Sequence, residues 1–228
     1  MSQQSVEQPQ QPIIIGVGGL TSNVGKTTLL CELLKAFPGW EAIKTTRGHY
    51  RSCGKDPHTC CVSDLLEPVP VIRSGRELTY APGKDTGRYW DAGAANVHWV
   101  IATDDQVEAG IRDAVARVRA RGVIIEGNSF AQYVRPDCFV MVARPDDFKI
   151  KATARKVLGR PSAFYFSGEI QASTMTQFEP LLQREDSLNN HALKPVFTPR
   201  SLPRLVDLLR DLTSSVQALP ERANPNAR

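Results

Sequence analysis

No apolar run in this chain approaches the ~20 residues that a membrane-crossing helix requires, so no span is expected. Residues 1–11 are rich in Gln and lack the basic flank and apolar stretch of a secretory leader; no signal peptide and a cytoplasmic location are therefore expected. No internal repeat is present. Neither sign of charge dominates, the formal net charge being +4. The densest arginine patch, Arg112 to Arg121, falls on an amphipathic period and reads as a solvated helix face, so nucleic acid is not an expected partner. What remains is a chain of 228 residues, 41% hydrophobic and 23% charged, which suits one soluble domain with a full core.

One stretch carries most of the information: Gly18-Gly19-Leu20-Thr21-Ser22-Asn23-Val24-Gly25-Lys26-Thr27-Thr28. It lies between an apolar run, Ile13 to Val17, and a helical pattern, Thr28 to Phe37. Strand, glycine-rich turn, Gly-Lys-Thr and helix, in that order, form a phosphate-binding loop. Glycines let successive backbone N–H groups face one concavity, and the helix start adds free N–H groups and partial positive charge. Gly19, Thr21, Ser22, Asn23, Val24, Gly25, Lys26, Thr27 and Thr28 are the expected nucleotide-binding residues, for ATP or GTP. Lys26 is expected on the β- and γ-phosphates and Thr27 on Mg²⁺.

Strand and helix patterns alternate along the rest of the chain. Strands are expected at 40–44, 69–73, 96–102, 123–125, 138–142, 163–166 and 195–197. Helices are expected at 84–92, from a Thr103-Asp104-Asp105 cap to 120, from Asp146-Asp147 to about 158, at 176–186 and at 201–218. This alternation predicts an α/β fold: a three-layer, doubly wound, mainly parallel sheet with its ligand at the carboxyl ends of the strands. Residues 12–219 form the expected domain, flanked by disordered tails at 1–11 and 220–228 and interrupted by an irregular segment, 46–68.

Three groups are expected to join the loop. Glu126 follows Val123-Ile124-Ile125, which puts its carboxylate at the sheet's carboxyl edge, to hold Mg²⁺ or position the attacking group. Lys44 ends the second strand and can clamp phosphate or an anionic substrate, or be surface charge. Asn128-Ser129 can bond substrate or cap the next segment. Asp146-Asp147 can read a base or cap a helix. His98 reads as a packed strand residue. Cys31 and Cys138 read as buried hydrophobes. Tyr80, Tyr89, Trp90 and Trp99 shape a pocket or form core.

The loop, with five residues between Gly19 and Gly25, resembles that of dethiobiotin synthetase and the cobyrinic acid amide synthetases. The order of loop, Ile43-Lys44-Thr45, Lys84-Asp85-Thr86 leading to Ala92-Gly93-Ala94, and Ile125-Glu126-Gly127 resembles molybdopterin-guanine dinucleotide biosynthesis protein B. That resemblance implies a P-loop fold, a GTP site and a helper role in cofactor maturation. It also implies that Lys84 and Asp85 line the site, with Asp85 near metal or substrate; many members of the group work as homodimers.

Where that family has a His-rich segment, this chain has His49, Cys53, His58, Cys60 and Cys61. These are ligands suited to Zn²⁺ or an Fe–S cluster, although no Cys-x-x-Cys pair is present. Redox-active thiols or structural cysteines are the alternatives. The expected function is accordingly a Mg-dependent nucleotide hydrolase assisting cofactor or metal-centre maturation, acting on an unidentified small-molecule or metal-cofactor substrate. An ATP-dependent ligase activating a carboxylate, and a nucleotide-dependent binding module with little turnover, are the rivals.

Overall fold

The structure, a computed structural model, describes residues 11–48, 62–185 and 194–217. His49, Cys53, His58, Cys60 and Cys61 lie outside the described residues, as do residues 1–10 of the expected tail at 1–11 and all of that at 220–228.

Eight strands form one sheet: β1 (Ile13–Gly19), β2 (Glu41–Arg47), β3 (Val71–Ser74), β4 (Val97–Ala102), β5 (Gly122–Glu126), β6 (Cys138–Ala143), β7 (Ala163–Phe166) and β8 (Val196–Phe197). Their order is β3-β4-β2-β5-β1-β6-β7-β8. Every pairing is parallel except β3 with β4. β1 takes the centre, between β5 and β6, because all seven of its residues can be buried on both faces.

Helices cover both faces, which makes the molecule three-layered. On one face α1 (Lys26–Ala36), α3 (Asp85–Asp91) and α7 (Leu202–Gln217) contribute Leu29, Leu33, Tyr89, Leu205 and Leu209 to a core with Ile15, Val17 and Val140. On the other, α4 (Val107–Arg117) and α6 (Ala172–Glu185) pack Val107, Ile111 and Phe178 against Ile43, Ile125 and Met141. Short helices α2 (Arg76–Thr79) and α5 (Ala152–Arg155) complete the described set.

Several expectations need correction. The helix expected at 103–120 is shorter, because Val118 already has extended backbone. Its expected cap is absent: Thr103 donates its N–H to the Gln106 side chain at 3.1 Å, while Asp104 turns to Arg47 at 2.9 Å. No helix begins at Asp146-Asp147, where Arg144 and Asp147 form an antiparallel bridge, so α5 starts only at Ala152. The arginine patch is solvated as expected, Arg112 pairing with Glu108 one turn away. Cys31 and Cys138 are buried, and burial pushes the Cys138 thiol up to about 12, which leaves it an inert core residue.

His98 is packed, but it is also paired. At the amino edge of the sheet its Nε2 lies 2.6 Å from Glu41 Oε2, and its Nδ1 lies 2.7 Å from Ser74 Oγ. Glu41 Oε1 accepts the N–H groups of Arg119 and Ala120, both at 2.8 Å, which pins the turn into β5. Burial pushes the Glu41 carboxyl up, but His98 and the two N–H donors outweigh it and hold it below its ordinary value. A depressed folded value stabilises above the unfolded carboxyl's range and is lost as pH falls through the folded one. Glu41→Gln is therefore expected to cost about 1–3 kcal/mol near neutrality. The gap to the wild type should close below about pH 4. Thermal melts between about pH 3 and 7 check this; a gap that does not change with pH would show that ionisation of Glu41 contributes nothing.

Candidate phosphate-binding site

The chain leaves β1 at Gly19 and re-enters regular structure at Lys26. Leu20 anchors the turn from both sides: its N–H donates to Val142 O at 2.9 Å, and its carbonyl accepts the Lys151 N–H at 2.9 Å. Asn23 (φ 56°) and Gly25 (φ 90°) are left-handed, the first being the non-glycine type that tolerates this best. Those two positions curl the backbone over the start of α1. That helix has no side-chain cap and no acidic residue in its first turn, so its leading N–H groups remain available to an anion. Val24 is fully buried and holds the loop by packing, whereas Ser22, Asn23 and Thr28 are exposed and Thr21 is half-buried.

Asn128 is the loop's second anchor. Its Oδ1 accepts the Gly19 N–H at 2.8 Å, and its Nδ2 donates to Gly19 O at 2.9 Å. Gly18 makes room for it: a Cβ there would lie 2.6 Å from Asn128 Oδ1. The capping role considered from sequence is not seen for this residue, since its amide braces the loop and does not cap the following turn.

Glu126, buried at the carboxyl end of β5, is the hub. Its Oε2 accepts the Thr27 hydroxyl at 2.9 Å and the Tyr89 hydroxyl. Its Oε1 takes Lys44 Nζ at 2.8 Å and lies 3.9 Å from Lys26 Nζ. Lys44 also reaches Asp85, at 2.6 Å, so it bridges two carboxylates. Burial lowers the Lys44 pKa, yet Glu126 and Asp85 outweigh burial and hold it above the ordinary lysine value. Burial dominates for Lys26, with Lys44 adding to it, so its ammonium titrates below the usual range. Burial raises the Asp85 carboxyl, but Lys44 and the Thr27 hydroxyl bring it below normal. Burial and the Glu126 charge drive the Tyr89 phenol far up, which keeps it a proton donor to the carboxylate.

The structure thus brings Lys26, Thr27, Lys44, Asp85 and Glu126 together. Lys84 stands exposed just before α3, next to Asp85. Tyr89, Asn128 and Lys151 were not assigned these places from sequence. Of the other aromatics, Trp90 donates to Thr79 Oγ1 at 2.8 Å and Trp99 to Thr46 Oγ1 at 2.9 Å, while Tyr80 is stacked under Arg76 at the surface.

Beside the start of α1, at the carboxyl ends of β6 and β7, lies a depression of about 510 Å³. Asn23, Gly25, Thr28, Arg144, Asp146 and Ser167 help to line it. Asp146 is held there by Arg144 through contacts of 2.8 and 2.6 Å.

A central parallel strand, a left-handed curl into an uncapped helix, and an acid on the neighbouring strand decide the architecture. The fold is that of a P-loop nucleoside triphosphatase. No protein-family model and no curated protein matches the chain. Among solved structures, an "apo" form of LpxK from Aquifex aeolicus in complex with ATP is similar at 16% identity and a TM-score of 0.46, over 83% of this chain and 54% of that one. HypB from Helicobacter pylori, in complex with nickel, is similar at 12% identity and a TM-score of 0.48, over 93% of this chain and 92% of that one. The Signal Recognition Particle 54 kDa protein from Aeropyrum pernix K1, in complex with GDP, is similar at 16% identity and a TM-score of 0.42, over 93% and 50%. The chain spans about half the length of the first and third of these. Among the described residues no helix is long and apolar enough to cross a membrane.

Proposed function

We propose that the loop binds a nucleoside triphosphate with Mg²⁺ and that the site hydrolyses it or transfers its terminal phosphoryl group. The observation that carries this reading is the convergence of Thr27, Lys44 and Tyr89 on Glu126, with Lys26 beside them, one strand away from the loop. The Thr27 hydroxyl and the carboxylates of Glu126 and Asp85 form a hard-oxygen donor set. Among the described residues no cluster of three or more His, Cys, Asp or Glu could hold a metal by itself, which fits an ion shared with substrate phosphates. Bound there, Mg²⁺ would supply charge neutralisation at the terminal phosphates.

The chain's own groups do the rest. Free N–H groups of the loop and of α1 cradle the phosphates. Lys26 offsets charge on the β- and γ-oxygens. Tyr89 and Lys44 hold the Glu126 carboxylate in place, so that it can orient a ligand of the metal or the attacking group. The depression at Asn23, Thr28 and Asp146 takes the nucleoside, and an Asp146 carboxylate released from Arg144 would accept the N1–H and the exocyclic amino N–H of guanine together, whereas adenine offers it only an exocyclic amino group.

Replacing Lys26 by Ala tests the reading. Calorimetric titration with ATP and GTP, with and without Mg²⁺, is expected to show wild-type binding that the variant loses by about 100-fold or more, through its missing charge-assisted contacts. Equal affinity in the two proteins would refute phosphate binding at this loop.

Assistance in cofactor or metal-centre maturation would rest on Cys53, Cys60 and Cys61, and metal analysis of anaerobically purified protein tests it: three alkylatable thiols without metal would remove it. The ligase alternative has one observation of its own, Lys44 bridging Glu126 and Asp85 where an anionic substrate could take it over. It requires ADP release that depends strictly on a small carboxylated or aminated compound. A binding module would instead bind nucleotide and release no phosphate.

A further inference from the structure

α3 supplies Asp85 and Tyr89 to the site. Arg88, on the same helix, has no role above. Its Nη2 donates to Thr28 Oγ1 at 3.2 Å, which joins α3 to the first turn of α1. Among the described residues no carboxylate forms an ion pair with it, and the ion pair of Asp85, one turn earlier, goes to Lys44. A guanidinium presents five N–H donors in one plane, and the Thr28 bond uses one of them. The others form a fork of the kind that matches phosphate oxygens.

The base of this side chain is held from several directions. The Arg88 N–H donates to Lys84 O at 2.9 Å; its carbonyl accepts the Ala92 N–H at 3.0 Å and the thiol of Cys31, on α1, at 3.5 Å. Gly87 lies flat on the preceding turn, where a Cβ would strike Ala81 O. Tyr89 is fully buried, with its hydroxyl on Glu126. α3 is thereby fixed against α1, and the half-buried Arg88 side chain extends from it to the helix start. Thr28 connects that guanidinium with the ligand. It lines the depression assigned to the nucleoside, and it follows Lys26 and Thr27, which serve the terminal phosphates and the metal. The phosphate between the two ends of the nucleotide, the α-phosphate, therefore falls at Thr28. Arg88 does not itself line the depression; it stands one hydrogen bond behind Thr28, on the α3 side. Because Thr28 Oγ1 accepts from Arg88, its own hydroxyl proton is free to be donated to an anion.

We propose that Arg88 and the Thr28 hydroxyl together clamp the α-phosphate, so that recognition extends from the terminal phosphates to the one that carries the nucleoside. This inference rests on the triphosphate-binding reading above and adds to it a binding residue from α3. The fixed backbone around Arg88 lowers the ordering cost of the contact.

The test uses the full chain and nucleoside diphosphates, titrated by calorimetry with Mg²⁺ present throughout. Arg88→Gln should weaken the diphosphate about 10-fold or more, as loss of a charge-assisted contact does. Being a substitution away from the core, it should melt within about 2 °C of the wild type. The decisive readout is the α-thio diphosphate, in which sulfur, a poor hydrogen-bond acceptor, replaces one or the other non-bridging α-oxygen. The ratio of affinities for its two diastereomers should differ by about threefold or more between the wild type and Arg88→Gln. Any preference of the metal ion is common to both proteins and drops out of that comparison. Arg88→Lys keeps the charge but not the fork, and should shift the same ratio in the same direction. A ratio unchanged in both variants overturns the clamp, whatever happens to overall affinity. A change seen only with β-thio diphosphate would move Arg88 to the terminal phosphates and overturn it equally. Failure of the wild type to bind nucleoside di- and triphosphates at all would overturn the parent reading, and this one with it.

Discussion

Glu126→Gln is expected to lower phosphate release by about 100- to 1000-fold while nucleotide stays bound, the range seen when one preorganised polar group is removed from a site where charge develops. The substitution keeps volume and shape, so packing under β5 should survive. What it removes is the negative charge that Thr27, Lys44, Tyr89 and Lys26 all face. The remaining amide can accept the Thr27 or Tyr89 hydroxyl, but it cannot hold a divalent ion or orient an attacking group as a carboxylate does. Lys26 and the loop N–H groups are unchanged, so affinity should move far less than turnover. Phosphate release under single-turnover conditions, beside calorimetric binding, separates the two quantities. A variant that turns over at the wild-type rate would place the chemistry elsewhere.

Asn128→Ala should have the largest effect on stability. The amide satisfies both the N–H and the carbonyl of Gly19, in the buried floor of the loop. Its loss strands two backbone groups, each costing about 1–3 kcal/mol when buried without a partner. A total of about 2–4 kcal/mol corresponds to a fall of roughly 5–15 °C in the melting temperature of a chain this size. Affinity for triphosphate should fall with it, because the curl loses one of its two anchors. Ser129→Ala, one residue on, should melt within about 2 °C of the wild type, as half-buried substitutions without such a contact do. Equal losses at both positions would deny Asn128 its bracing role.

The strand that ends in the loop and the acid that faces it were legible from local signals. Gly25-Lys26-Thr27 follows an apolar run, and Glu126 follows three apolar residues, patterns that short stretches of chain fix by themselves. Asp85 could be placed only through the resemblance around Lys84-Asp85-Thr86. Lys84, beside it, stands exposed just before α3. Tyr89 was hidden for a different reason. On a helix it counts as an apolar residue, and its hydroxyl finds Glu126 only because α3 docks beside α1 over the sheet. Asn128 meets Gly19 across a separation of 109 residues, which no local pattern reports. Lys151 sits in a charged stretch that reads as surface until Ile150 is seen plugged into the core. The antiparallel direction of β3 was equally hidden, since Val71 to Ser74 has the same alternation whichever way it runs. β2 ran three residues past its expected end because its ladder with β4 continues to Ala102.

The central place of β1 has a consequence for how the chain acquires its site. This strand leaves the ribosome well before its two neighbours, β5 and β6, which are encoded more than a hundred positions later. Until they emerge, the glycine-rich turn has no floor, and Leu20 lacks its partner at Val142. A nascent polypeptide halted before that point would carry the whole signature and still be unable to grip a nucleotide. The floor of the turn forms late, when the long-range pairings close around a segment that has waited for them.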